Sequence, residues 1–251
     1  MKSEVIKNAQ NLYDSGQVQE ALEYYAAALW HNKENNTELL YTWLEDNSLI
    51  EKAGEQAVCT FIASILLIID HCDASSQNRL WTLCQNIFDH MEICEDREDT
   101  SDRYVVECNL YRHQKKPEKA LAIILKGLAK GGTTSRYTFA GLTYLDLEEE
   151  TEAEKYIALG YQSDPNNASA YNDLGDYYFD KRQWKKASNC YYKVLQTDDY
   201  NDCNWAEPSW IFCCYMLDPD PYELELLLLF AAANLVNQRA QLICKMADME
   251  Q

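Results

Sequence analysis

The chain has little of what sheet folds and active sites are usually built from. Its 8 Gly and 5 Pro are too few for the many tight turns of a β-sandwich, so helices are expected to dominate. Its four histidines stand in distant segments, with no HExxH pair and no nucleophile elbow nearby. Asp146 and Glu149 could meet across one helix turn, which leaves a paired-carboxylate hydrolase as the remaining enzymatic reading, but acids at that spacing are ordinarily solvated. A non-enzymatic chain without a cofactor is therefore expected. Basic residues are scarce as well: 22 Lys and Arg stand against 41 acids, for a net charge of -19. That balance argues against nucleic acid, whose phosphates require a basic surface.

Long apolar runs are missing too. Ala57 to Ile69 and Leu224 to Ala233 fall short of the roughly 20 residues that cross a bilayer, so no membrane partner is expected. Met1-Lys2-Ser3-Glu4 leads into an amphipathic segment without the apolar core of a signal peptide. Cysteine is not scarce. Its 10 copies are spread through helical segments, and Cys59, Cys108 and Cys190 fall on apolar faces, the pattern of reduced thiols in a cytoplasmic protein. His71-Cys72, and His90 with Cys94 one turn later, lack the paired CxxC motifs of a zinc site, so no metal is expected.

What the chain does have is a period. Tyr137, Ala140, Gly141, Tyr144, Ala153 and Pro165 are answered 34 residues later by Tyr171, Leu174, Gly175, Tyr178, Ala187 and Asp199. Gly141 and Gly175 fall inside the first helix of a pair, where glycine costs about 1 kcal/mol relative to alanine, so close packing must offset it. Ala153 and Ala187 are expected opposite them on the second helix. The tyrosines would fill the space between neighbouring pairs. Pro165 removes an N–H and keeps Asp164 from helical angles, so Asp164-Pro165-Asn166-Asn167 separates one pair from the next.

These slots resemble the tetratricopeptide repeat (TPR). The resemblance implies an all-α fold, a right-handed α-α superhelix or solenoid of helix hairpins. It divides the chain into a hairpin at 1–35, degenerate repeats or an irregular helical insertion at 36–99, three repeats at 100–201 and capping helices at 202–251. Val5 to Trp30 is read as a copy with Ala9 in the glycine slot, Leu12 in the tyrosine slot and Ser15-Gly16-Gln17 as the turn, while Ala21, Tyr25 and Ala28 line its second helix. In 36–99, Leu39, Leu40, Trp43 and Leu44 form one helical face. Apolar helices follow around Val58 to Ile69 and Leu80 to Ile93, the latter capped near Asp73-Ala74-Ser75-Ser76, and Glu92 to Asp99 is an acidic connection. Tyr104 to Lys130 restores the pattern with Cys108 in the glycine slot, Tyr111 in the tyrosine slot, and Ala120, Ile124 and Gly127 along a second helix opened by Pro117.

Gly131-Gly132-Thr133-Thr134 has neither a following GK[ST] nor a preceding strand and is read as a linker, not a phosphate loop. Pro208 is expected to start a helix, and Asp218-Pro219-Asp220-Pro221 to break the chain. Tyr222 to Met246 would then form one long C-terminal helix with Leu224, Leu227, Leu228, Ala231, Leu235 and Leu242 on its apolar face. That face would cap the last repeat or dock a second subunit, forming a homo-oligomer.

In the family, the first helix of each pair lines a concave groove that binds protein segments. Carried over by register, this implies Asp14, Asn109, Arg112, His113, Asp146, Asn172, Asp176 and Asp180 as groove residues, with Tyr13 and Trp210 as aromatic anchors. Many members bind acidic chaperone tails through Lys, Asn and Arg. Here Asp146, Asp176 and Asp180 stand where cations would be needed, and only Arg112 and His113, with Lys115 and Lys116, suit that ligand. The expected partner is a protein or peptide, basic or of mixed polarity. An immunity or inhibitor protein neutralising a basic toxin or nuclease is a sharper version of this reading, and a secretion or assembly chaperone is another.

Overall fold

The computed structural model describes residues 4–32, 37–46, 48–67, 69, 74–91, 102–220, 222, 225, 226, 229 and 245. Among the described residues there are helices and turns and no strand. Four helix pairs share one construction: α1 (Glu4–Asp14) with α2 (Val18–Asn32), α7 (Arg103–His113) with α8 (Pro117–Lys130), α9 (Thr134–Asp146) with α10 (Glu150–Ser163), and α11 (Ser169–Asp180) with α12 (Trp184–Val194). Between the first two pairs lie α3 (Thr37–Leu44), α4 (Leu49–Ala53), α5 (Glu55–Leu66) and α6 (Ala74–His90), and α13 (Tyr200–Leu217) follows the last.

The pairs turn in the same way. Gly16, Lys115, Glu148 and Arg182 take left-handed φ of 84°, 57°, 60° and 55°. The next residue's N–H reaches back to a carbonyl five positions earlier, as in a Schellman cap: Gln17 to Leu12, Lys116 to Tyr111, Glu149 to Tyr144 and Gln183 to Tyr178, at 2.9–3.0 Å. The turn therefore recurs even where the sequence similarity has faded, and only its first copy uses the glycine that a left-handed position favours.

Contacts divide the chain into two compact units, Met1–Phe139 and Ala140–Gln251. In the first, α5 packs on both α2 and α7, and α6 packs on α3 and α7. Trp43 is fully buried at its centre, with the rings of Tyr13 and Tyr25 at 5.1 Å and Phe61 at 6.1 Å. Leu39, Leu40 and Leu44 are buried on the same helix, the face the sequence predicts. In the second unit, α12 packs on α11 and α13, and the rings of Phe179, Trp184 and Phe212 lie 5.3–5.6 Å apart.

The helical glycines are sites of close approach, with a change of partner from the one expected. A Cβ on Gly141 would come within 2.5 Å of Ile157, with the Ala153 carbonyl at 3.2 Å, and one on Gly175 would lie 2.6 Å from the Tyr191 ring. The alanines are buried, yet the side chains one turn beyond them occupy the space that glycine opens. Gly132 is more than a linker residue, because a Cβ there would collide with the Tyr137 hydroxyl.

Pro117 opens α8 as expected, whereas Pro208 lies inside α13 and does not start it. An internal proline costs about 3 kcal/mol. Ala206, Ser209, Phe212 and Cys213, on both sides of it, are fully buried, and their packing outweighs that cost. The proposed cap residue Asp73, the His71-Cys72 pair, Cys94, the acidic run 92–99 and the apolar face from Leu224 to Leu242 lie outside the described residues. Cys59, Cys84, Cys108, Cys190 and Cys213 are buried, and Cys203 and Cys214 are half-buried. No helix among the described residues is long and apolar enough to cross a membrane.

Candidate protein-interaction surfaces

The common turn puts one residue of each first helix in the same place. Asp14, His113, Asp146 and Asp180 are the last helical residues of α1, α7, α9 and α11, and the three aspartates are exposed. A carboxylate there faces the partial negative charge of the last helical carbonyls, which is unfavourable by about 0.3–1 kcal/mol. Asp14 accepts a 2.8 Å hydrogen bond from Gln10.

The other sequence-predicted residues are placed differently. Tyr13 is built into the first unit: its ring stacks on Trp43 and its hydroxyl donates to Asp46. Burial, reinforced by that bond, pushes the Tyr13 pKa well above the ordinary range, and hydrogen bonds from Lys52, Tyr13 and Ser48 hold Asp46 well below its own. Asn109 and His113 are half-buried, and half-buried Arg112 lies 6.0 Å from the Phe139 ring. Asn172 is buried and donates to the Asp202 carbonyl at 3.3 Å. Asp176 accepts from the Tyr191 hydroxyl at 2.6 Å, and half-buried Trp210 packs beside Tyr192 at 6.2 Å.

Sequence reasoning missed a basic surface. Residues 181–196 contain Lys181, Arg182, Lys185, Lys186 and Lys193 and no acid, and all five are exposed. Beside them is a cleft of about 280 Å³ lined by α10 (Glu154, Ala158), α11 (Tyr171, Leu174, Tyr178) and α12 (Lys186, Asn189, Cys190, Lys193). None of the ten predicted residues lines it.

Lys186 sits 3.3 Å from both Glu150 and Glu154, and the Tyr178 hydroxyl donates to Glu154. Burial acts to raise the Glu150 pKa, but its bonds to Lys186 and Lys181 outweigh this and lower it. Burial pushes the Cys190 thiol up to about 12. Lys193 donates to the Tyr171 hydroxyl at 2.8 Å and lies 4.2 Å from that ring's centre. The signal for this surface was a short stretch of one sign in an oppositely charged chain.

A second missed feature is a buried ion pair in the first unit. Arg136 reaches Asp102 through Nε at 2.8 Å and Nη2 at 2.5 Å, and through Nη1 it donates to the carbonyls of Gly127 and Gly131. Asp102 also caps α7 by accepting from the N–H groups of Tyr104 and Val105. The group ties α7, the end of α8 and the start of α9, and its burial makes it a structural device, not a binding one.

A solved structure from a functional characterization of Pseudomonas aeruginosa PilF, a TPR-containing protein, resembles this chain with a TM-score of 0.55. The match covers 94% of this chain and 98% of that one, at 12% sequence identity. The fold is that of a helical-repeat protein. At such identity the likeness is one of fold alone. No protein-family model matches the chain, and no curated protein matches it in sequence.

Proposed function

We propose that this chain is a non-enzymatic interaction module whose acidic first-helix ends in the second unit, Asp146 and Asp180, engage a basic segment of a partner protein. One observation carries the reading: Asp14, Asp146 and Asp180 recur at the end of a first helix, where a carboxylate weakens its own helix. Chance or solubility would be served as well by acids elsewhere. A cationic ligand would relieve the repulsion, and a chain of net charge -19 would speed its capture.

The test is fluorescence anisotropy with a short lysine-rich peptide at low and high salt. The native chain is expected to bind it in a salt-sensitive way, and Asp146→Lys with Asp180→Lys to weaken binding by about tenfold, roughly 1.4 kcal/mol. Equal binding by the native and doubly reversed chains would refute the assignment of these aspartates.

A further inference from the structure

Residues 181–196, which run into and along α12, carry five cations and no acid in a chain of net charge -19. Of these five cations, Lys181 and Lys186 are paired with Glu150 and Glu154. No carboxylate among the described residues pairs with Lys193; its Tyr171 hydroxyl bond occupies one of three ammonium donors. Asn189 precedes it by one helical turn on the same exposed face, and both residues line the cleft floored by Ala158, Leu174 and Cys190. Two outward polar groups one turn apart, beside an apolar floor, match a carboxylate flanked by an apolar side chain.

We propose that this cleft holds a short acidic segment of a partner protein, with a side-chain carboxylate on Lys193 and Asn189 and an adjacent apolar side chain over Ala158. This deepens the interaction-module reading by assigning it a second surface. A protein segment suits the cleft better than a nucleic acid does: Glu154 lines it, and the chain's net charge of -19 repels a continuous polyanion more than a segment with sparse carboxylates.

The experiment is an anisotropy titration of the full chain with a labelled, amidated peptide of alternating glutamate and leucine, beside a lysine–leucine counterpart. Lys193→Glu is expected to weaken the acidic peptide by about tenfold, the effect of losing one exposed pair and adding one repulsion. Asn189→Leu should weaken it about threefold, a fraction of one hydrogen bond. Neither change should weaken the basic peptide. Lys193→Gln, which adds no repulsion, and unaltered melting by circular dichroism separate lost binding from lost folding.

Unchanged binding of the acidic peptide to Lys193→Glu, or its full displacement by a single-stranded oligonucleotide, would overturn the proposal. So would binding confined to peptides with a free C-terminal carboxylate. If the basic peptide binds through Asp146 and Asp180 while the acidic one does not bind, this inference alone fails. If neither binds, both fail.

Discussion

Replacing Arg136 by methionine tests whether the buried ion pair holds three helices together. The change keeps an unbranched apolar side chain but removes both contacts to Asp102, whose side chain is 3% exposed, and both carbonyl bonds to Gly127 and Gly131. Asp102 keeps its two backbone N–H donors but loses its counter-charge. Breaking a buried pair from one side costs about 3–5 kcal/mol.

With a urea dependence of about 2 kcal/mol per molar, a loss of about 4 kcal/mol moves the unfolding midpoint down by about 2 M. The double variant Asp102→Ser, Arg136→Met removes the stranded charge while keeping a capping hydroxyl at the α7 N-terminus. It is expected to recover at least a third of the loss. Urea unfolding followed by far-ultraviolet circular dichroism measures both. A loss below about 1 kcal/mol for Arg136→Met would place the pair in the range of an exposed one, and a double variant no more stable than the single would refute the stranded-charge account.

Gly175→Ala is expected to destabilise the chain by about 1 kcal/mol, because overpacking against the buried Tyr191 ring costs about 1–3 kcal/mol and the gain in helix propensity returns about 1; thermal melting checks it. Arg182→Gly should do the reverse and stabilise by about 0.5 kcal/mol, since relief of the left-handed backbone at φ 55° exceeds the added freedom of the unfolded chain. A lower melting temperature would contradict it. Glu107 is buried between α6 and α7, and burial raises its pKa above the ordinary glutamate value. The folded state therefore keeps its proton when the unfolded state has lost it, and stability from this group falls as pH rises through that window. Glu107→Gln should gain stability relative to the native chain between acid and neutral pH, as read from paired urea titrations.

The helical hairpins were legible because each rests on a local requirement. Gly141 and Gly175 sit in helices that disfavour them, Pro117 suits only a first turn, and the 34-residue interval returns the same side chains to the same slots. A chain states such preferences residue by residue, so the fold class could be read directly. The candidate surfaces were less legible. Asp14, Asp146 and Asp180 could be placed by register, but the burial of Asn172 and the incorporation of Tyr13 into the Trp43 core depend on helices remote in sequence.

Tertiary structure alone decided the rest. Arg136 meets Asp102 across 34 residues because α7, α8 and α9 converge, and Pro208 stays within α13 because burial on both sides outweighs its local preference. The lysines of α12 border a cleft because α10 and α11 stand where they do. Local sequence sets which backbone shapes are cheap, whereas the pairing of distant charges and the faces left to solvent follow from which helices pack together.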